Sequence, residues 1–360
     1  MNLLKKIFIN FLYLKEFLLI NIYFFFENKK IVIFYFSSPG YRENLEYFYK
    51  FINNNKLSIY TIFRQKKNDN FENRSKVFFL GQRWVRFLKK VDIVISPSVC
   101  LDFKTTINIY YHHDILDSPL GSSRMIYYNL NNYRKVDFIL VANSIVQNYL
   151  QYNLLKIFKK KQIPKIEIVG YNKINKLSKR KAQKQILIAP TNRNAFPSDT
   201  SILDQVYLKR LIIELRKEYK NYKIVLRPHP NNREFDMRFL SSFDVSIDNS
   251  SDYEKVYSES ALMITDFSGT AFTYALRFKR PVIFLIRKKI YKIPGFLTSY
   301  YRSNLKFIGK ASSIKNLNKD IRYLLCNNYQ KRIYSFRKKV FNFDQNKALK
   351  TFLEKYINNF

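Results

Sequence analysis

Short apolar runs alternate with helix-spaced apolar positions along most of the chain. Lys30-Ile-Val-Ile-Phe-Tyr-Phe36 is a continuous apolar run of buried-strand length, followed by the turn residues Ser37-Ser-Pro-Gly40. Arg42–Ile52 then carries Leu45, Phe48, Tyr49 and Ile52 at three-to-four spacing, which predicts a helix. Further strands are predicted at Leu57–Phe63, Lys76–Leu80, Asp92–Ser96 and Ile107–His112, with helical segments such as Arg83–Lys90 between some of them. A second set begins at Gln185. It predicts strands at Ile186–Ala189, Tyr222–Leu226, Val245–Ile247, Leu262–Thr265 and Pro281–Leu285, and helices at Ser201–Lys220, Asp252–Ser260 and Gly269–Phe278. Alternation of this kind predicts parallel sheets covered on both faces. The fold class is therefore α/β, with two Rossmann-like doubly wound domains.

Two segments stand outside the alternation. Residues 1–28 hold Leu3–Leu4, Ile7–Leu14 and the uncharged run Phe17–Phe26, interrupted by Lys5, Lys6, Lys15 and Glu16. The longest uncharged stretch is about half of the roughly 20 residues of a spanning helix. No small-residue cleavage site follows. An amphipathic helix in the membrane interface fits the pattern, and a helix packed on the core is the alternative. Lys156–Lys184 is rich in lysine, with Lys159-Lys-Lys161 and Lys179-Arg-Lys181, and reads as solvated surface or linker. The expected organisation is thus an N-terminal segment over 1–28, a first Rossmann-like domain over 29–170, a basic linker over 171–184, a second domain over 185–345 and a C-terminal helix over 346–360.

Composition narrows the chemistry. The 360 residues contain 64 Lys+Arg against 27 Asp+Glu, a formal net charge of +37. Such an excess suits nucleic acid, anionic lipid or phosphorylated substrates. Lys, Asn, Ile, Phe and Tyr all have AT-rich codons, so coding bias is a second source of the excess. An apolar share of 47% excludes a disordered basic tail. Most aromatic residues lie in apolar strands or on helix faces rather than interleaved with Lys/Arg, so no nucleic-acid partner is expected. Two cysteines and three histidines, with no zinc-ligand spacing, leave neither a disulfide framework nor a metal site as an expectation.

All three histidines follow predicted strands, where open α/β sheets hold their ligands. His112 and His113 end one run, before Asp114, and His229 lies in Arg227-Pro-His-Pro230. A strand also ends at Thr265-Asp266, and Ser268-Gly269-Thr270 opens a helix. Backbone N–H groups, two hydroxyls and the positive helix end make that turn an anion cradle, although Ser and Thr are also ordinary N-caps. Neither a P-loop nor Gly-x-Gly-x-x-Gly occurs, which argues against ATPase and dinucleotide readings.

The series Ile186-Leu-Ile-Ala-Pro-Thr-Asn-Arg193, Lys223-Ile-Val-Leu-Arg-Pro-His-Pro230, Ile264-Thr-Asp-Phe-Ser-Gly269 and Pro281-Val-Ile-Phe284 resembles the CDP-glycerol glycerophosphotransferase family of teichoic-acid primases and polymerases. Ile166-Glu-Ile-Val-Gly-Tyr171 resembles the family's segment before the domain crossover. The resemblance implies a glycosyltransferase B architecture, with two Rossmann domains facing across a cleft. It implies attack by an acceptor hydroxyl on the β-phosphorus of a CDP-activated polyol phosphate, with release of CMP and no cofactor or metal. The family's base maps to His113, because Gly121 lies eight residues later, with His112 as fallback. His229 maps to a donor-phosphate contact. Arg227, Arg193, Ser268, Gly269 and Thr270 map to diphosphate binding, with Asp114 and Asp266 in supporting roles.

This chain departs from the family at His112 in place of Trp, Asp114 in place of Gly, and Gly269 in place of a second Ser. Expected partners are the CDP-polyol donor, a lipid-linked or polymeric acceptor and an anionic membrane surface, which gives a cytoplasmic protein peripheral on the inner face of the membrane. A glycosyltransferase of the same fold, using a nucleotide sugar, is the alternative, and a basic nucleic-acid-binding protein is a distant one.

Overall fold

The computed structural model describes residues 3–36, 47–52, 56–63, 76–88, 91–97, 105–112, 115–116, 133–156, 158–159, 163–175, 177–178, 180–191, 202, 204–229, 240, 242–250, 252–287, 299–326 and 328–358. The chain divides into two compact units. One comprises Met1–His113, Tyr127–Asn172 and Phe343–Phe360, the other Asp114–Ile126 and Lys173–Asn342.

The first unit holds a seven-stranded parallel sheet in the order β3-β2-β1-β4-β5-β6-β7. Its strands are β1 (Lys30–Phe36), β2 (Leu57–Phe63), β3 (Lys76–Phe79), β4 (Val91–Ser96), β5 (Thr105–Tyr111), β6 (Phe138–Val141) and β7 (Lys165–Ile168). β1 explains the continuous apolar run. Ile31, Ile33 and Tyr35 belong to one core and Val32, Phe34 and Phe36 to the other, so both faces are covered from Ile31 onward and only Lys30, at the exposed start, is charged.

α1 (Leu3–Phe26) covers the first of these faces. Ile20 and Phe24 are buried there, Phe17 packs on Trp84 of the short α2 (Gln82–Val85), and Phe24 meets Tyr60 edge-on. Each fully buried side chain of this size stabilises by about 1.5–3 kcal/mol. The expected helix over Arg83–Lys90 is thus a single turn. Of the expected helix over Arg42–Ile52, Tyr47–Tyr49 are helical and Arg42–Glu46 lie outside the described residues. α3 (Ser144–Leu155) follows β6 and is capped by Asn143, whose side chain accepts from the Val146 N–H at 3.1 Å.

The basic stretch 156–184 is more ordered than its charge suggests. β7 lies inside it as an edge strand, where lysines are tolerated, and the Lys165 ammonium sits over the Phe138 and Tyr356 rings. Beyond it, Ser178 and Gln183 donate backbone N–H groups to Arg277 and Glu259. The Arg180 carbonyl accepts from Arg280 at 2.8 Å.

The second unit holds a six-stranded parallel sheet, β10-β9-β8-β11-β12-β13, made of β8 (Gln185–Ile188), β9 (Lys223–Leu226), β10 (Val245–Ile247), β11 (Leu262–Thr265), β12 (Val282–Phe284) and β13 (Gly309–Ala311). Counted within the unit this is order 3-2-1-4-5-6, the doubly wound arrangement that reverses direction between its first and fourth strands. Its helices are α4 (Gln205–Glu218), α5 (Glu254–Glu259), α6 (Thr270–Phe278), α7 (Ser299–Ile308), α8 (Leu317–Cys326) and α9 (Tyr329–Val340). Arg280 is buried and reaches the carbonyls of Tyr257, Ser258 and Ser260, satisfying the C-terminal end of α5.

The chain then returns to the first unit as α10 (Gln345–Leu353). Leu349, Phe352 and Leu353 fill the core beside Phe34, Tyr111 and Phe138. The Gln345 side chain accepts the Tyr171 N–H at 2.7 Å, directly beneath Gly170, whose φ is +87°.

Candidate functional site

The reversal point of the second sheet lies between β8 and β11, and the residues singled out there are drawn together by hydrogen bonds. The Thr265 hydroxyl donates to the Ala189 carbonyl at 2.6 Å, and the Ala189 N–H to the Ile264 carbonyl at 2.9 Å. Asp266 is fully buried. Its Oδ1 accepts the N–H groups of Thr191 at 3.0 Å and Phe267 at 2.8 Å, so one carboxylate sets the chain leaving both strands. Asp266 Oδ2 has no hydrogen-bond partner among the described residues. Burial pushes this carboxyl up to about 6, against backbone hydrogen bonds that pull it down.

The turn Ser268-Gly269-Thr270 follows and opens α6. All three residues are half-buried, and Gly269 has ordinary right-handed helical backbone angles. Its backbone does not require glycine. The Thr270 hydroxyl shares a hydrogen bond of 2.6 Å with buried Tyr257. That bond fixes the side chain against the helix behind it and leaves the helix end to its backbone N–H groups and Ser268.

Arg227 is engaged elsewhere. Its guanidinium pairs with Asp248, just beyond β10, and donates to the Ser250 hydroxyl at 3.2 Å and carbonyl at 3.1 Å. Burial would raise the Asp248 carboxyl, but hydrogen bonds from Ser250 and the charge of Arg227 outweigh it and hold the group below its ordinary value. Arg227 thus braces β9 against β10. His229, two residues on, is half-buried, and burial lowers its pKa below the usual histidine value. Near neutrality the imidazole is uncharged and can donate or accept a proton.

Sequence reasoning passed over several partners. Arg287, three residues beyond β12, lies 4.9 Å over the Tyr207 ring. The Tyr207 hydroxyl, raised by burial, senses both Arg287 and Asp266, so a cation stands near the β8–β11 reversal. The strand-end rule that found His229 also points to Arg287 and Asp248, which follow the runs ending at Phe284 and Ile247. Tyr257 carried no such signal, because a buried tyrosine on a helix reads as core.

In the first unit, His112 follows β5, donates its backbone N–H to Leu140 at 2.8 Å, and is buried edge-on to Tyr110. His113, Asp114 and Arg193 lie outside the described residues.

Residues 16–354 match the family CDP-glycerol:poly(glycerophosphate) glycerophosphotransferase. The chain belongs to this family. Among its relatives, minor teichoic acid biosynthesis protein GgaB of Bacillus subtilis (strain 168) is 26% identical over 368 residues, covering 88% of this chain and 39% of GgaB. A teichoic acid poly(glycerol phosphate) polymerase of Staphylococcus epidermidis is 29% identical over 179 residues, covering 46% of this chain and 23% of the polymerase. The chain therefore spans about two fifths or less of the curated relatives it matches. The fold is that of the wall teichoic acid polymerase TagF, with TM-score 0.62 and 18% identity over 92% of this chain and 90% of that one. It also resembles UGT71G1 of Medicago truncatula in complex with UDP-glucose, with TM-score 0.56 and 10% identity over 91% and 98% of the two chains. The expected family and the glycosyltransferase B type of fold are both borne out.

Proposed function

We propose that this chain transfers glycerol phosphate from CDP-glycerol to a hydroxyl of a teichoic-acid-type polymer, releasing CMP. Family membership supports the reading, and the observation that carries it is the cradle at the β8–β11 reversal. There the helix end and Ser268 suit a donor diphosphate, with Arg287 acting on the same Tyr207 hydroxyl as Asp266, and His229 following β9, the strand next to β8. Arg193 joins them by its motif.

In the proposed step the acceptor oxygen bonds to the β-phosphorus, and the bond from that phosphorus to the bridging oxygen breaks. CMP leaves with the bridging oxygen, and His113 takes the acceptor proton. The α6 N-terminus, His229 and the cations Arg287 and Arg193 lower the barrier by stabilising charge on the leaving phosphate. Asp266 holds the loop after β8 in register, and Arg227 does the same for β9. The acceptor is lipid-linked, which puts the enzyme on the cytoplasmic membrane face.

The test is incubation with radiolabelled CDP-glycerol and a lipid-linked glycerol phosphate acceptor. Acceptor-dependent CMP release with label in the polymer is expected. Turnover of a nucleotide sugar instead, with CDP-glycerol inert, overturns the reading.

A further inference from the structure

The helices that end the second unit, α7, α8 and α9, lie in a segment almost without acid. Residues 299–340 contain 11 Lys+Arg and a single acidic residue, Asp320. That carboxylate is buried and neutralised locally, accepting from Lys310 at 2.6 Å and from the Ser312 hydroxyl at 2.7 Å. AT-rich coding favours lysine without forbidding glutamate or aspartate, so it accounts for the cations better than for the missing carboxylates.

α9 carries the densest part. Tyr329, Ile333, Phe336 and Val340 form its buried stripe. Opposite stand Lys331, Arg332, Lys338 and Lys339, all exposed, with Lys331 and Lys338 about two turns apart. Lys338 and Lys339 complement the negative end of the helix dipole, as does Arg337, which turns inward to the Ile174 carbonyl at 2.7 Å. Lys331 and Arg332 have no such reason. They stand near the first turn, where the dipole disfavours cations and no acid offsets them. Arg322 of α8 pairs with Glu218. Among the described residues, Lys331, Arg332, Lys338, Lys339 and Lys306 of α7 enter no ion pair.

Aromatic rings hold these cations in place. Lys306 Nζ and the Arg332 guanidinium lie 5.4 and 6.0 Å from the Phe307 ring centre, so α7 and α9 bring two cations to one ring. Arg332 also lies 5.3 Å over Tyr329, and Lys338 4.8 Å over Tyr334. The rings are themselves fixed. Phe307 stacks on Phe336 at 4.6 Å, and the buried Tyr329 hydroxyl donates to the Lys306 and Gly309 carbonyls.

We propose that this face of α9, with Lys306, is a second binding surface for the glycerol phosphate polymer, one that grips phosphodiesters already joined and so retains long chains on the enzyme. The inference rests on the proposed transfer reaction. None of its residues belongs to the cradle at the β8–β11 reversal. α9 is about 18 Å long, longer than one glycerol phosphate unit, so it meets several phosphates of a chain and not a single ion. Charge complementarity calls for a polyanion, and the rings call for one without bases. A nucleic acid stacks its bases on open aromatic faces. Here Phe307 and Tyr329 are packed against their own neighbours, and Tyr323 and Tyr334 already carry Lys310 and Lys338 on their rings.

Binding of a long and of a two-unit fluorescent poly(glycerol phosphate) to the full chain is measured by anisotropy, without CDP-glycerol, at low and high salt. Transfer kinetics follow with the same two acceptors. Wild type binds the long polymer more tightly than the short one, and salt weakens that binding steeply. K331Q/K338Q/K339Q binds the long polymer at least about tenfold more weakly, and K331E/K338E/K339E more weakly still. In the glutamine variant KM for the long acceptor rises by a similar factor. Its kcat, its KM for the two-unit acceptor and its melting temperature stay at wild-type values. Should the triple variant unfold, K331Q/K338Q carries the same comparison.

Unchanged binding and KM in both triple variants would leave the face idle. An equal rise in KM for both acceptors would put these lysines at the transfer site itself. An oligonucleotide of matched charge that binds wild type more tightly than the polymer, and loses that preference in the variants, would assign the face to nucleic acid. Lost binding to phosphatidylglycerol vesicles, with polymer binding intact, would assign it to lipid. Each of these overturns the polymer surface and leaves transfer from CDP-glycerol standing. Absence of transfer by wild type to either acceptor overturns the functional reading, and the polymer surface with it.

Discussion

Arg227 and Asp248 hold each other across the ends of adjacent strands, so the arginine of the Arg-Pro-His-Pro motif works along the sheet edge. His229 is the member of that motif proposed to meet the donor. Removing either partner strands a largely buried charge, which costs about 3–5 kcal/mol. Arg227→Ala and Asp248→Ala should therefore lower stability by similar amounts in urea denaturation. The double variant should lose far less than the two together. Additive losses would show that the pair is not a brace.

His229 should behave as a functional group with little structural weight. His229→Ala is expected to lower kcat/KM for CDP-glycerol by about a hundredfold to ten-thousandfold, the usual range for a positioned acid, base or charge stabiliser, with an unchanged melting temperature. Because burial favours the neutral imidazole, protonation of His229 should slow the wild-type reaction only in acid, below the ordinary histidine range, on top of whatever the proposed base His113 contributes. Steady-state kinetics across pH would reveal whether that acidic limb disappears in the variant.

Asp266 should make the protein less stable as pH rises from about 4 to about 6. Its folded pKa, raised from 3.8 to about 6, favours the protonated form. The contribution is full below the unfolded pKa and is lost as pH rises through the folded one. A shift of this size corresponds to roughly 3 kcal/mol. Asp266→Asn keeps an acceptor for Thr191 and Phe267 and needs no charge, so it should flatten the stability–pH curve between 4 and 7. Chemical denaturation at several pH values measures this directly.

Gly170 permits the first unit to close over Gln345. Its φ of +87° is strained for any other residue, and a Cβ there would lie 2.5 Å from the Gln345 Oε1. Gly170→Ala should destabilise by about 2–4 kcal/mol through backbone strain and overpacking. Gln345→Ala in that background should recover only part of the loss, because the Tyr171 N–H then lacks its acceptor. Calorimetry on the two variants separates these contributions.

Strands were the most legible part of the sequence. A parallel strand buried on both faces is an unbroken apolar run, and β1, β2, β10 and β11 fall where their runs predict. Phe138–Val141 is just as apolar, yet β6 was not anticipated, and β7 was concealed by lysines that an edge strand accommodates. The residues proposed for the donor stand after strands as the sequence predicts, while their hydrogen-bond partners were not legible. Nothing in Arg227-Pro-His229 announces a carboxylate 21 residues away, and nothing in the Ser268–Thr270 turn announces Tyr257. The two readings of residues 1–28, membrane-facing or core-packed, could not be separated by composition because the two faces of α1 differ in kind.

The return of the chain as α10 has a consequence for biosynthesis. The polypeptide leaves the first unit at Asn172 and re-enters it at Phe343, so most of the second unit is an insertion within the first. On the ribosome, all six strands of the second sheet emerge before Leu349, Phe352 and Leu353 are available to seal the earlier one. The segment made first is thus completed last. A nascent chain halted before α10 leaves the core around Phe34, Tyr111 and Phe138 open, a natural signal for chaperones and proteases that production is unfinished.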